Sequence, residues 1–208
     1  MEFRFDELSD TYTDFSSWFG EEPYSIGSGS SVEVFLGGSE NLSKALIPLE
    51  TLLSDSEKQH LQSFIFETDR NLFALSHGLL RRILGNAIGI PPGEVPIFIR
   101  QLGKPHLKEA PLQFNLSHTK ETFALALSIE FPVGIDIEHV NPNCNWQDIA
   151  LRYFSEGEKK MLENDPWLDR LLLFYVLWTR KEAVLKAIGC GIVDQMDCID
   201  TSQGSFLV

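Results

Sequence analysis

Basic residues are scarce in this chain of 208 residues, which has 17 lysines and arginines against 30 aspartates and glutamates. The formal net charge at pH 7 is −13. Nucleic-acid binding depends on basic side chains that neutralise backbone phosphates, so this balance argues against nucleic acid as the main partner. A phosphate ligand is still compatible with the sequence, because a local group of cations or a bound metal ion could hold it.

Long apolar runs are also absent. The longest is LLLFYVLW, eight residues that begin at Leu171, whereas a bilayer-spanning helix needs about 20 apolar residues. We therefore expect a buried helix here and no membrane partner. The acidic N-terminal segment MEFRFDELSD lacks the apolar stretch of a signal peptide. The three cysteines form no CxxC pair and are too few for a disulfide framework. Together these features predict a cytoplasmic protein.

The chain does contain enough apolar side chains for a core, since 43% of its residues are hydrophobic. In the first half, SSVEVFLGG and VPIFIRQ have the composition of strands. Ser54 followed by Glu57 predicts a capping box at a helix start. NLFALSHGLLRRILGNAIG has helical periodicity and should end near Gly85 or Gly89.

The second half repeats this order. FALALSI and VGIDIEHV read as strands, with FNLSHT as the loop that precedes them. Ser155 and Glu158 predict a second capping box, and the long apolar helix LDRLLLFYVLWTRKEAVLKAIG follows.

Similar segments recur about 100 residues apart. LSDSEKQHL matches FSEGEKKML, DRNLF matches DRLLL, and RRILG loosely matches LKAIG. This order predicts an α+β fold made of two similar halves related by pseudo-twofold symmetry. We place the halves at residues 1–116 and 117–208, with the metal site in the second and a ligand site at their junction.

Two carboxylates stand close together in GIDIEHV. On a strand, Asp136 and Glu138 would point to the same face, opposite Ile135 and Ile137. A divalent cation such as Mg²⁺ would relieve their repulsion, and Mg²⁺ is commonly held by one or two carboxylates plus substrate phosphates. The simpler interpretation is a half-exposed strand whose polar face meets water.

The last long helix carries a second charged group. Glu182 and Lys186 are four residues apart and share a helix face beside Trp178 and Leu185. They could form an ordinary surface ion pair. If that face is partly buried, Glu182 could instead share the metal with the other two carboxylates, and Lys186 could point at its anion.

Several residues could contact phosphate. Ser117 and His118 in FNLSHT and Lys104 in LGKPH carry suitable donors, although each also fits a surface or structural role. Arg81 and Arg82 are consecutive on a helix, so at most one of them should face a site.

Taken in order, GKP, FNLSH, GIDIE, FSxxE and WTRKEAVLK resemble the motif series of the 4′-phosphopantetheinyl transferases, in particular their monomeric, pseudo-twofold type. The resemblance runs from Leu53 to Gly191, and its last two motifs are the most specific. It implies two similar α+β halves with coenzyme A bound between them. Relatives often continue with further strands, so we expect those strands to be reduced or missing in this chain.

The resemblance also implies roles for individual residues. The Mg²⁺ ligands would be Asp136, Glu138 and Glu182. Lys186 would lie near the pyrophosphate of coenzyme A, and Glu182 would act as a base, as a metal ligand or as both. The nucleotide phosphates would be contacted by Ser117, His118, Lys104 and Arg81. A motif near the carrier-protein side is matched by Phe154, Ser155 and Glu158.

The implied reaction transfers phosphopantetheine from coenzyme A to a serine of an apo acyl or peptidyl carrier protein and releases adenosine 3′,5′-bisphosphate. Because carrier proteins are usually acidic, we expect a local basic patch at Lys159, Lys160, Arg180 and Lys181. One alternative is a non-catalytic module that binds coenzyme A or a carrier protein, which the full set of three carboxylates disfavours. The other is an unrelated Mg²⁺-dependent phosphotransferase, and the chain lacks the GxxxxGK[ST] loop of one such class.

Overall fold

The computed structural model of the chain describes residues 13–14, 32–38, 46–108, 111–129, 131–164, 169–191 and 196–202. The fold is α+β, as predicted. The strands are β1 (Thr13–Asp14), β2 (Val32–Gly38), β3 (Ile97–Ile99), β4 (Pro105–Leu107), β5 (Gln113–Thr119) and β6 (Thr122–Ser128). The helices are α1 (Leu46–Thr51), α2 (Asp55–Leu61), α3 (Glu67–Ile88), α4 (Trp146–Tyr153), α5 (Glu156–Asn164) and α6 (Arg170–Ile188). None of the helices in the described ranges is long and apolar enough to cross a membrane.

Among the described residues, four strands form the main sheet in the order β1-β2-β6-β5, and β3 pairs with β4 in a separate hairpin. The pairs β2–β6 and β5–β6 are antiparallel, whereas β1–β2 is parallel. The predicted boundary between residues 116 and 117 therefore falls inside β5, and the sheet combines strands from both sides of it. The division of the chain into halves at this boundary stays a prediction.

Two strand assignments need correction. FNLSHT is not a loop before the strands, because residues 113–119 form β5 itself. VGIDIEHV was expected to be a strand, but residues 132–140 make no strand ladder. The alternation of apolar and polar residues is the same in a strand and in an extended segment, so the pattern could not separate the two.

The main core lies between α3 and one face of the sheet. Buried side chains of α3 pack against Phe35 of β2, Phe114 of β5 and the β6 residues Phe123, Leu125 and Leu127. A second cluster joins α4, α5 and α6 around Phe154, Phe174 and Leu177. The helix that contains LLLFYVLW is thus part of a packed core, as its apolar run predicted.

The two predicted capping boxes are confirmed. Ser54 Oγ accepts from the Glu57 amide while the Glu57 carboxylate accepts from the Ser54 amide, and Ser155 and Glu158 make the same reciprocal pair. The long helix that follows each box ends at a glycine in the left-handed region, Gly89 with φ +70° and Gly189 with φ +85°. In each case a glycine suits this conformation because it has no Cβ.

Each capping box and the long helix that follows it are also linked by a buried cation. The Arg81 guanidinium bonds to Glu57 and to the carbonyls of Pro92 and Val95. The Lys181 ammonium bonds to Glu158 and to the carbonyls of Met196 and Ile199. Arg81 and Lys181 lie 100 residues apart, like Gly89 and Gly189. The matching register is therefore GNAIG with LKAIG, not RRILG with LKAIG. This correspondence supports a duplication, and the twofold relation of the halves stays a prediction.

The Arg81–Glu57 pair predicts an acid-dependent loss of stability. Burial alone would raise the pKa of Glu57, but hydrogen bonds from His77 and Arg81 lower it from 4.5 to about 2. A depressed carboxyl pKa stabilises the fold above the unfolded value and loses that contribution as the pH falls to the folded value. The difference between the ordinary pKa of 4.5 and the pKa of about 2 in the folded protein corresponds to about 3 kcal/mol of unfolding free energy at pH values above 4.5.

Glu57→Gln should therefore be less stable than the wild type at pH 7, and the gap in unfolding free energy should narrow between pH 5 and pH 2. Urea unfolding across this pH window measures the gap. Glu67→Gln, an exposed change in the first turn of α3, is the matched control. A gap that stays constant with pH would contradict the assigned role of the Glu57 carboxylate.

Candidate active site

Strand β5 presents different residues to its two faces. Phe114, Leu116 and His118 alternate with Asn115, Ser117 and Thr119, so the two sets project to opposite sides of the sheet. The first set faces α3, where Phe114 and Leu116 belong to the main core. The second set contacts residues 133–139, which we call the carboxylate segment because it carries Asp136 and Glu138. FNLSHT thus joins the core to the candidate site.

Side chains of β5 hold the carboxylate segment in place. Asn115 Oδ1 accepts from the Ile135 amide at 2.8 Å, and Thr119 Oγ1 accepts from the His139 amide at 3.2 Å. Between them, Ser117 Oγ donates to Asp136 Oδ1 at 3.0 Å. These three bonds substitute for the backbone ladder that the segment lacks.

A glycine brings the same segment against α6. A Cβ added to Gly134 would lie 2.0 Å from the Ala183 carbonyl oxygen and 2.4 Å from the Ala187 nitrogen. Any side chain at this position would separate the two backbones. The close approach places Asp136 beside the helix face that carries Glu182 and Lys186.

Three of the predicted site residues contact one another directly. Lys186 Nζ donates to Asp136 Oδ1 at 2.6 Å and to Ser117 Oγ at 2.9 Å. The Asp136 side chain is only 5% exposed, while that of Lys186 is 28% exposed. Lys186 therefore forms its ion pair with Asp136, across the site. The alternative of an ordinary surface ion pair between Lys186 and Glu182 on the same helix is not what the structure has.

The other two carboxylates lie within electrostatic range of Asp136. Burial, then the charge of Asp136, raises the pKa of Glu182. Partial burial of the carboxyl and the charge of Asp136 also raise the pKa of Glu138, against the opposing effects of Lys186 and the His139 amide. The charge of Asp136 thus makes ionisation of both Glu138 and Glu182 harder, as expected for like charges in one site.

Two buried oxygen atoms at this site, Asp136 Oδ2 and Glu182 Oε1, have no hydrogen-bond partner among the residues that the structure describes. Buried polar atoms are normally satisfied, so such orphans in a carboxylate cluster call for a ligand that donates positive charge. Hard oxygen donors of this kind suit Mg²⁺. Within the described ranges, no group of three or more side chains is already arranged as a metal cage. The residues fit a site in which Asp136 and Glu182, together with the neighbouring Glu138, would share the ion with a substrate.

Arg81 and Lys104, two of the predicted phosphate contacts, are buried and bonded to other groups of the protein. Arg81 is 5% exposed and bonded to three protein acceptors, so its guanidinium belongs to the α2–α3 unit described above. Lys104 Nζ donates to the carbonyls of Val133 and Ala187, and burial lowers its pKa to about 8. Lys104 thereby ties the start of the carboxylate segment to the end of α6. The roles of Arg81 and Lys104 as phosphate contacts stay predictions, and of the two it is Lys104 that contacts the carboxylate segment.

His118 does not share a face with Ser117. Its cross-strand neighbour is Phe123, on the side of the sheet that faces α3. Burial, followed by the charges of His77 and Lys186, lowers the pKa of His118. His118 is thus an exposed residue on the opposite face of β5 from Ser117, and its imidazole is within electrostatic range of Lys186.

The predicted basic patch is wrong for Lys181. Its side chain is 0% exposed and pairs with Glu158, which is also 0% exposed, at 2.8 Å. Lys159 pairs with Glu156 at 3.1 Å, which offsets part of its charge. Phe154, Ser155 and Glu158 of the FSxxE motif are all buried, so their direct contribution is to the α5–α6 packing.

Sequence reasoning missed three residues that shape the site, Asn115, Thr119 and Gly134. The two-residue spacing of Asn115, Ser117 and Thr119 was available as a signal, but it was hidden because FNLSHT was assigned to a loop. The close approach of Gly134 to α6 depends on tertiary packing and leaves no local pattern.

Comparison with known proteins identifies the family of the chain. A profile described as the N-terminal domain of 4′-phosphopantetheinyl transferase matches residues 42–130, and one described as the 4′-phosphopantetheinyl transferase superfamily matches residues 132–208. The two profiles cover both sides of the candidate site. The chain belongs to the 4′-phosphopantetheinyl transferase superfamily.

Curated relatives support the same assignment. The 4′-phosphopantetheinyl transferase HetI of Nostoc sp. is 36% identical over 148 residues, which are 69% of this chain and 62% of the relative. The 4′-phosphopantetheinyl transferase AcpT of Salmonella typhimurium is 43% identical over 106 residues, or 50% of this chain and 55% of the relative. A 4′-phosphopantetheinyl transferase of Bacillus subtilis is 29% identical over 146 residues, or 70% of this chain and 64% of the relative. The matched region spans less than two-thirds of the length of each relative.

Proposed function

We propose that the chain transfers the 4′-phosphopantetheine group of coenzyme A to a serine of an apo carrier protein, in a Mg²⁺-dependent reaction. The observation that carries the proposal is the group formed by Asp136, Glu182, Lys186 and Ser117, with two buried carboxylate oxygens left without a partner. The names of the curated relatives describe the same transfer. The non-catalytic alternative does not account for this concentration of charge in one site.

In this reaction the serine hydroxyl attacks the β-phosphorus of coenzyme A, and the P–O bond to the leaving nucleotide breaks. The products are the phosphopantetheinyl serine and adenosine 3′,5′-bisphosphate. In this proposal Lys186 neutralises charge on the pyrophosphate and protonates the departing phosphate. Glu182, whose pKa is raised by burial and by Asp136, is the candidate base for the serine proton.

The metal ligands we assign are Asp136, Glu138 and Glu182. When bound, Mg²⁺ supplies positive charge that offsets the charge developing on the phosphates. The protein otherwise contributes positioning, as in other phosphoryl transfers. Ser117 orients Asp136 through its hydroxyl, and Lys104 keeps the carboxylate segment against α6. His118 and Lys104 are our candidates for the edge of the nucleotide-binding surface.

The partners we propose are coenzyme A and acyl or peptidyl carrier proteins, with the chain acting as a monomer. A reducing, cytoplasmic setting fits its cysteines, because Cys144, Cys190 and Cys198 all lie in the described ranges and none is in a disulfide. Nucleic acid and membranes are not expected partners for a chain with net charge −13 and no long apolar segment.

Mass spectrometry of a carrier protein tests the function. The chain is incubated with apo acyl carrier protein, coenzyme A and Mg²⁺, in parallel with a sample that contains a chelator. We expect the carrier to gain the mass of one phosphopantetheine group only in the presence of Mg²⁺. Binding of coenzyme A or carrier without any mass gain across a panel of apo carriers would favour the binding module instead.

His118 gives a separate prediction about the nucleotide. His118→Ala should raise the KM for coenzyme A with little change in kcat, because an edge contact to a remote phosphate is made equally in the ground and transition states. Steady-state kinetics with varied coenzyme A measures both constants, with His60→Ala, an exposed histidine of α2 away from the site, as the control. A large fall in kcat at unchanged KM would instead assign proton transfer to the imidazole.

A further inference from the structure

The carboxylate segment is held by side chains and not by a strand ladder, although it supplies two of the three proposed metal ligands. Its Ile135 and His139 amides stand at the two ends of the Asp136–Glu138 pair. The Ile135 amide donates to Asn115, and the His139 amide donates to Thr119. The backbone that fixes both carboxylates is thus anchored on each side by one residue of β5.

The two anchoring residues of β5 have the same spacing as the two amides that they hold, and they follow the same order along the chain. Asn115 and Thr119 are four residues apart on β5, and Ile135 and His139 are four residues apart on the carboxylate segment. Asn115, Ser117 and Thr119 contact residues 135, 136 and 139 in the same order, so the two extended stretches run in parallel. This arrangement fixes the register of the segment, and a shift of one residue would turn Asp136 away from Lys186.

We propose that Asn115 and Thr119 are positioning residues of the metal site, which set where the Asp136 and Glu138 carboxylates lie relative to Glu182. This inference rests on the proposed function. Neither side chain is a metal ligand; each acts through the backbone of the carboxylate segment. Residues that orient metal ligands in this way typically change metal affinity or activity by about 10–100-fold when they are removed.

Thr119 offers the cleaner test because it is only half-buried, whereas Asn115 is 5% exposed. Thr119→Val keeps the shape of the side chain and removes the hydroxyl acceptor, and Thr119→Ser keeps the hydroxyl. Thr122→Val makes the same substitution on the paired residue of β6 and is the matched control. Asn115→Ala is the second variant, with its melting temperature measured to identify any loss of folding.

Divalent-metal affinity is measured with Mn²⁺ by electron paramagnetic resonance, with and without coenzyme A, and amide exchange is measured at residues 135–139. For Thr119→Val we expect about tenfold weaker Mn²⁺ binding and faster exchange of the His139 amide. Thr119→Ser and Thr122→Val should resemble the wild type in both readouts. In turnover, Thr119→Val should need more Mg²⁺ for half-maximal rate.

Unchanged Mn²⁺ affinity and amide exchange in Thr119→Val would overturn the inference. A wild-type protein that binds no Mn²⁺ under either condition would overturn it as well, together with the metal site. If the wild type binds Mn²⁺ and the variants weaken it, but no carrier is modified, the positioning role stands and the proposed transferase function fails. The two ideas are therefore judged by different measurements.

Discussion

Asp136→Asn should lower the rate of carrier modification by about 10²-fold or more, because it removes the charge of a proposed Mg²⁺ ligand and so weakens the metal that offsets charge on the reacting phosphates. Asp136 is the central residue of the site. It bonds to Ser117 and Lys186, its second oxygen is buried without a partner, and its charge raises the pKa of both Glu138 and Glu182. Asparagine preserves the shape of the side chain and removes only that charge.

Two further measurements separate loss of chemistry from loss of folding. The far-UV circular dichroism spectrum and melting temperature of Asp136→Asn should stay close to those of the wild type. The pKa values of Glu138 and Glu182 should fall, because one cause of their elevation has been removed. Glu163→Gln, which removes an exposed charge from α5, is the control and should leave activity unchanged. Near-normal turnover by Asp136→Asn would remove this residue from the site.

The local features of the fold were predictable from sequence because local bonds produce them. Both capping boxes are interactions between residues three apart, so Ser54 with Glu57 and Ser155 with Glu158 could be recognised by spacing alone. Strand β6 and the end of α3 at Gly89 were likewise encoded by alternation and by a glycine after a periodic run. These predictions required no knowledge of tertiary contacts.

The site was predictable only in part. The proximity of Asp136, Ser117 and Lys186 had been inferred from motif order, and the structure brings these three together. The placement of Arg81 and Lys181 could not be inferred, because a motif shows that a cation is present but not which carbonyls and carboxylates enclose it. Their shared role becomes visible only when the two long helices are compared in three dimensions.

Lys181 sits beside Glu182 in sequence but on a different face of α6, fully enclosed. Its three ammonium protons are directed at Glu158 and at the carbonyls of Met196 and Ile199, which uses its full donor capacity. Glu158 in turn accepts from the amide and hydroxyl of Thr201 at 2.9 and 2.6 Å. The pair therefore links α5 and α6 to residues 196–201.

Removing either partner should be costly because the other would remain charged, or would have to change its protonation state, in a site closed to water. Lys181→Met and Glu158→Gln should each lower the free energy of unfolding by about 3–5 kcal/mol. The double variant should lose less than the sum of the two, since it leaves no uncompensated charge. Urea unfolding of all four proteins closes this cycle, and Lys160→Met, an exposed lysine of α5, is the control.

The KM of Lys181→Met for the carrier protein distinguishes a structural role from a carrier-binding role for Lys181. If the lysine acts only through the α5–α6 packing, Lys181→Met below its melting temperature should keep a near-normal KM for the carrier protein, while heat inactivates it earlier. A stable Lys181→Met protein with strongly weakened carrier binding would mean that the lysine leaves its buried position to meet the partner. The enclosed geometry favours the first result, because three bonds and the Phe154 ring 5.7 Å away hold the ammonium inside the protein.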